Sequence, residues 1–287
     1  MEWGRPGVIA LAAAAGRLGW DESTWSAGRV ALSESAAVED GRFLPELLIT
    51  PPQRHRRWTV LLRMLLLIPH FIVLWALGVA AAVVAFIGWF AALVLGRLPE
   101  WISGFLTLYI SYSTRVGASA WLLVDRYPPF VVGDPEFPVD VEIRPGTLNR
   151  WAVLFRFVLL IPAAVVAAVT SWGFGVLAFF LWLIILVMGR NPRPVFDASV
   201  AALRYSMRTN AYICLLTGAY PKRLFGDARE EGEAAKVAAG TRPLVMSRGG
   251  RVLLIVFIVL GVLAMVGNGA MSSTQPSPHE YQYAHLG

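Results

Sequence analysis

Residues 57–99 read RWTVLLRMLLLIPHFIVLWALGVAAAVVAFIGWFAALVLGRLP, and residues 150–192 read RWAVLFRFVLLIPAAVVAAVTSWGFGVLAFFLWLIILVMGRNP. From Phe71 to Leu95 the only polar side-chain atoms are indole N–H groups. An apolar run of about 18 residues or more is a transmembrane candidate. The longer stretch from Trp58 to Leu95 is interrupted only by Thr59, Arg63 and His70. As one helix it would measure about 57 Å, at about 1.5 Å per residue. That is nearly twice a hydrocarbon core of about 30 Å. The length therefore predicts a chain that turns back on itself. Gly78 offers the turn in the first stretch, and Ser171, Gly173 and Gly175 offer it in the second, since glycine permits tight reversals. A third apolar run, Val252 to Val266, reaches spanning length when Gly267 to Met271 are added.

Composition agrees with a membrane protein. Of 287 residues, 56% are hydrophobic and 15% charged, with a mean hydropathy of +0.58. Ordinary soluble domains are about 45–50% apolar and about 25% charged. So apolar a chain is not disordered over its bulk, and one cysteine allows no disulfide framework. The net charge of +6 comes from Lys+Arg 25 against Asp+Glu 19. No basic cluster with interleaved aromatics lies in a polar segment, so nucleic acid is set aside. The basic residues read as an orientation signal, because Lys and Arg collect in cytoplasmic segments.

The two quoted stretches are copies of one another. A gap-free shift of 93 residues places Arg57-Trp58 on Arg150-Trp151, Arg63 on Arg156, and Ile68-Pro69 on Ile161-Pro162. It also places Gly96-Arg97-Leu98-Pro99 on Gly189-Arg190-Asn191-Pro192, Tyr112-Ser113 and Arg115 on Tyr205-Ser206 and Arg208, and Tyr127-Pro128 on Tyr220-Pro221. Between 57–128 and 150–221, 27 of 72 positions are identical. Shared leucines alone would not keep these motifs in one register. A period this long means two fused membrane modules, not a solenoid.

Each module reads as three segments. Segment A follows a basic start and carries Pro69 or Pro162, where a kink is expected. Segment B runs from the glycine turn to Gly96 or Gly189, where glycine followed by proline stops a helix. Segment C covers about 101–124 and 194–217. In the first copy Ser103, Thr107, Ser111, Arg115 and Ser119 recur every four residues as a polar stripe. In the second the stripe holds Asp197, Arg204 and Arg208. Such a helix either lies in the headgroup layer with its stripe toward water, or crosses with its stripe turned inward. If C stays on the surface, the chain crosses five times, and nearly all arginines fall on the cytoplasmic side. If C spans, there are seven crossings and the modules are inverted, as in many transporters. The arginine bias favours five.

The expected class is an all-α integral membrane protein: two duplicated transmembrane hairpins, each followed by an amphipathic helix, plus one C-terminal transmembrane helix. The expected divisions are a cytoplasmic lead-in at 1–43, a first module at 44–134, and a linker with a short strand at 135–149. A second module at 150–227, a charged linker at 228–250, a last helix at 251–271 and an external tail at 272–287 follow. The strand signal is the alternation of Val139, Val141 and Ile143, with a weaker echo at Leu44 to Ile49. Val8 to Ala15 is too short to span and lacks a basic flank, so it does not read as a signal peptide. The N-terminus is expected in the cytoplasm and the C-terminus outside.

No catalytic set is found. There is no Gly-Lys-Ser/Thr phosphate loop, no His-Glu-x-x-His, no Gly-x-Ser-x-Gly and no cysteine pair. No cofactor and no metal site are expected, and the chain is not expected to be an enzyme. His70 alone lies at membrane depth in sequence. A proton relay is the sharper reading, and an interfacial histidine bonding a carbonyl is the favoured one. Asp197 reads as a charge at a helix N-terminus, and Cys214 as a small buried hydrophobe. Arg63 and Arg156 read as snorkelling arginines, and Arg115, Arg204 and Arg208 as a solvated stripe. All five are candidate contacts for anionic lipid headgroups or for a partner.

The motif set resembles a known family. Arg57-Trp58, Arg63, Ile68-Pro69-His70, Gly96-Arg97-Leu98-Pro99, Ser113-x-Arg115 and Asp125-Arg126-Tyr127-Pro128-Pro129-Phe130 look like the bacterial domain of unknown function 4389. Residues 137–227 look like a second copy, with Ala163 in place of the histidine and Gly218-Ala219 in place of Asp-Arg. The resemblance implies a multi-pass membrane protein, commonly actinobacterial, often with two copies, a strand-like linker and a last transmembrane helix. It brings no activity and no catalytic residue. The expected role is a non-catalytic scaffold or accessory subunit at the cytoplasmic membrane. Its expected partners are membrane lipids, anionic ones among them, and a membrane protein or a second copy of the chain. The alternative is a small transporter or channel subunit with a polar path lined by the segment C stripes.

Overall fold

The computed structural model describes residues 43–50, 54–130, 134, 136–227 and 244–273, with side chains of the last helix through Asn268. The lead-in through 42, linker residues 228–243 and the tail from 274 lie outside the described residues. The elements are β1 (Glu46–Ile49), α1 (Arg57–Leu95), α2 (Glu100–Ala120), β2 (Val139–Glu142), α3 (Arg150–Leu154), α4 (Arg156–Met188), α5 (Arg193–Ile213) and α6 (Arg248–Ser273). By length and composition, α1, α4 and α6 are able to cross a membrane.

The expected hairpin of segments A and B does not form. α1 is one helix of 39 residues with Pro69 inside it, and it passes Gly78 without a break. α4 continues for 33 residues through Pro162, Gly173 and Gly175. The five-crossing count thus becomes three candidate spans. The reason is local. One glycine in a helix costs only about 1 kcal/mol relative to alanine, and Leu77 and Val79 beside Gly78 supply no turn chemistry. A turn there would strand backbone groups in an apolar run, where nothing else would bond them. The chain reverses instead at Gly96 and Gly189, which take left-handed φ values of 71° and 62°. Segment C makes the return. α2 runs back along α1, so that Tyr112 reaches His70 and the Ser119 carbonyl reaches Arg63. α5 does the same along α4. The stripe on α2 is turned inward, with Ser111, Arg115 and Ser119 buried, and on α5 Asp197, Arg204 and Arg208 are buried too.

The two copies face one another about an approximate two-fold axis. β1 and β2 pair antiparallel, Glu46 with Glu142 and Ile49 with Val139. These are equivalent residues of the repeat, exchanged. The His55 N–H donates to Gly189 O at 2.9 Å, and the Leu148 N–H donates to Gly96 O at 2.8 Å. Trp182 Nε1 donates to Val60 O at 3.0 Å, and Trp89 Nε1 donates to Val153 O at 3.1 Å. Each contact is the image of the other under the 93-residue shift. The start of α1 therefore lies on the end of α4, and the end of α1 lies on the start of the second copy. The long helices run antiparallel, and the axis passes midway along them.

Three layers stack along that axis. The sheet packs on α2 and α5, which pack on each other and on α1 and α4. Leu47, Ile49 and Val139 point inward and are buried, whereas Asp140 on the other face is exposed. Leu106, Ile110, Ala198, Ala202 and Leu216 fill the space between the layers. α6 lies antiparallel along α4 and touches it backbone to backbone. A Cβ on Gly173 would stand 1.7 Å from Phe257 O, and one on Gly261 would stand 1.9 Å from Val169 O. Small residues permit this kind of close helix crossing. Gly173, expected as a turn, is a packing glycine.

Candidate functional site

The richest polar site lies where α1 begins and the chain leaves α2. α2 ends at Trp121, and Leu122 takes a left-handed φ of 57°, as Leu215 does (61°) in the second copy. That turn aims the carbonyls of Ser119 and Val124 back at α1. Arg63 donates to both, at 3.3 and 2.6 Å, and also to Asp125 O at 3.0 Å and Asp125 Oδ1 at 3.3 Å. The same carboxylate accepts from Thr59 Oγ1 at 2.8 Å and the Arg56 N–H at 3.3 Å. His55 Nδ1 lies 3.6 Å from Asp125 Oδ1, with its side chain wholly enclosed. Burial holds the His55 pKa below its ordinary value of 6.5. The Asp125 charge opposes this, and the Arg63 charge adds to it.

A cleft of about 640 Å³ opens beside this network, lined by Thr50, Arg56, Thr59, Asp125, Arg126 and Glu136 among others. Arg126 closes its mouth with bonds to Glu136 O at 2.9 Å and Glu136 Oε2 at 3.3 Å. The cleft combines both charge signs, and its Asp125 carboxylate accepts hydrogen bonds from three donors, Arg63, Thr59 and the Arg56 N–H. These bonds, all to Asp125 Oδ1, hold the start of α1 against the end of α2.

The five arginines singled out in the sequence are each no more than 5% exposed. They neither snorkel nor face solvent. Arg156 repeats Arg63: its Nε donates to Tyr212 O at 2.7 Å and its Nη2 to Thr217 O at 2.5 Å, with the guanidinium 3.9 Å over the Tyr212 ring. Arg204 pairs with Asp227 at 2.7 Å. Arg208 donates to Pro45 O at 2.8 Å and Lys222 O at 3.0 Å, tying α5 to the chain before β1. Burial, then the Arg204 charge, brings the Arg208 pKa down to about 10. Burial would raise the Asp227 pKa, but the Arg204 hydrogen bond and charge and the Leu244 N–H outweigh it and hold it low. Arg115 differs from its twin Arg208. Its Nε and Nη1 are buried without a hydrogen-bond partner, over the Phe137 ring at 5.5 Å. Pro138 O, the equivalent of the Arg208 acceptor, takes the Thr50 N–H instead.

His70 is fully buried. Its Nδ1 shares a hydrogen bond of 2.6 Å with Tyr112 Oη, Phe130 stacks on the ring at 4.2 Å, and Nε2 has no partner. The partner is a phenol, not the expected carbonyl. Asp197 accepts the Ser247 N–H at 2.9 Å and so anchors the start of α6. Cys214 is buried, and burial pushes its thiol pKa up to about 11. Sequence reading missed the meeting of His55 with Asp125 and of His70 with Tyr112. A signal was present: Leu148, Ala163 and Gly218 replace His55, His70 and Asp125 together in the second copy.

The comparisons with known proteins add one finding. A family model described as "Domain of unknown function (DUF4389)" matches residues 57–132 and again 150–224. No curated protein and no solved structure matches the chain. The two matches together cover more than half of the chain and coincide with the copies that the two-fold contacts relate, so the chain belongs to the DUF4389 family and carries two tandem copies of its domain.

Proposed function

We propose that this chain is a membrane-embedded scaffold or accessory subunit without catalytic activity of its own. The division of its side chains carries the reading. Three of the buried arginines, Arg63, Arg156 and Arg208, are engaged in holding helices to the connecting segments packed on them. The apolar groups are outside, with Trp58, Trp75, Phe86, Trp151, Phe179 and Val266 all more than half exposed. An apolar exterior of this extent marks contact with lipid or with another protein. Arg57, Arg97, Arg150 and Arg251 are exposed at or beside helix ends. They, and not the five buried arginines, are the groups in position to meet anionic headgroups.

The test is extraction in a mild detergent after brief cross-linking in the native membrane. A stoichiometric membrane partner or a defined homo-oligomer is expected, together with tighter binding to vesicles containing an anionic lipid. A chain that purifies alone and ignores lipid charge overturns the reading. Solute flux into vesicles carrying the pure chain would favour the transport alternative.

A further inference from the structure

We infer that α1, α4 and α6 do not cross the bilayer but lie along it, seated in one leaflet, with the two-fold axis along the membrane normal. The inference rests on the membrane reading above and adds the geometry of the contact.

The layer order is the first argument. The axis passes midway along α1 and α4, and the sheet sits on the same axis at the far side of α2 and α5. If the long helices stood upright with their midpoints at mid-bilayer, the sheet would lie at that depth as well. Its outer face carries Glu46, Asp140 and Glu142, with Arg144 beside them, and Asp140 is exposed. Charged side chains at that depth turn to a protein interior or to a water-filled cavity, not to lipid. With the axis along the normal, the same residues stand in water above the headgroups.

The tryptophans are the second. Trp75 lies at the middle of α1 and Trp172 at the middle of α4, and they are 74% and 52% exposed. Tryptophan favours the headgroup level at the two ends of a spanning helix. An exposed indole at the centre of both helices is out of place in a span. It is at home in a helix whose whole length lies at the interface.

The third is the shape of the apolar surface. Leu61, Leu65, Ile72, Val79 and Phe86 are all exposed, and at about 100° per residue they run in a line along the centre of a broad exposed face of α1 that also takes in Leu62, Met64, Leu66 and Phe71. Val60, Arg63, Leu67, His70, Ala81 and Gly88 are buried on the opposite side. From Leu61 to Phe86 the exposed line is about 38 Å long, already longer than a hydrocarbon core of about 30 Å. A helix lying in the interface dips such a face about 5–10 Å into the acyl region, whatever the helix length.

The experiment uses the full chain with Cys214→Ala, bearing a single spin label at Leu61→Cys, Ile72→Cys, Val79→Cys or Phe86→Cys. Each variant is reconstituted into vesicles of phosphatidylcholine with phosphatidylglycerol. Depth is read from the ratio of relaxation by oxygen and by a water-soluble nickel chelate. Equal depths along the line, within about 5 Å, are expected. In addition, Asp140→Cys should react with an impermeant maleimide from the same side as Arg97→Cys and Arg193→Cys. A depth that peaks at Ile72 and Val79 and falls toward both ends overturns the seating and leaves the membrane reading standing. Labelling of Arg97→Cys and Arg193→Cys from opposite sides does the same. A chain that fails to float with the vesicles overturns both.

Discussion

The first copy carries polar residues that the second has exchanged as a set: His55 for Leu148, Thr59 for Ala152, His70 for Ala163, Asp125 for Gly218. Three of the four, His55, Thr59 and Asp125, meet around one carboxylate, and their joint replacement is what one expects of a network whose members support one another. Arg63 and Arg156 then differ in consequence. Arg63→Met would leave the Asp125 carboxylate without its charged partner, at a cost of about 3–5 kcal/mol. Arg156→Met strands carbonyls only, at about 1–3 kcal/mol. Thermal unfolding in one detergent should rank them in that order. His55 supplies a pH test. Its folded pKa lies below 6.5, so between that lowered value and 6.5 the unfolded chain binds more protons. Stability must fall as pH drops through that window and be flat above it. His55→Leu, which copies the second module, should lessen the slope between pH of about 7 and 5. An unchanged slope in the variant assigns the effect elsewhere. The positions of the arginines were legible in the sequence, but their direction was not. A polar stripe on an apolar helix reads the same whether it faces water or the inside of a protein.

The extent of the apolar runs was equally legible at the level of elements, as were Gly96 and Gly189 as helix stops and both strands. What went wrong was the assumption that a helix longer than the bilayer must reverse. That follows only if the helix stands upright, and nothing in the apolar run specifies its angle to the membrane. Gly173 shows the same ambiguity, since a glycine serves a turn or a close approach and only the partner tells which. The partner here is α6, more than eighty residues away in sequence. Gly173→Ala or Gly261→Ala should lift α6 from α4, at about 1–3 kcal/mol or more for overpacking. Gly175→Ala and Gly267→Ala meet nothing within 4 Å and should stabilise, by up to about 1 kcal/mol. Protease sensitivity between α5 and α6 would report the difference, and equal behaviour of all four would refute the close crossing.

At the scale of the whole molecule, the sheet joins the two copies at the point where the axis leaves the protein. Leu48 and Asp140 are direct partners there. With Cys214→Ala as background, Leu48→Cys with Asp140→Cys should oxidise to an intramolecular disulfide, seen as a mobility shift that a reductant reverses. Leu48→Cys with Glu142→Cys, two residues out of register, should not. The reciprocity of the contacts reaches further. An interface in which each residue meets the image of its own partner is the interface of a symmetric dimer. Joining the halves in one chain makes their meeting intramolecular, so it no longer depends on how much protein a cell makes. It also releases the halves from having to remain identical. A lone domain of this kind must place every substitution on both sides of its axis at once. A fused pair can keep a histidine and an aspartate on one side and lose them on the other, so selection can act on each flank of the axis separately.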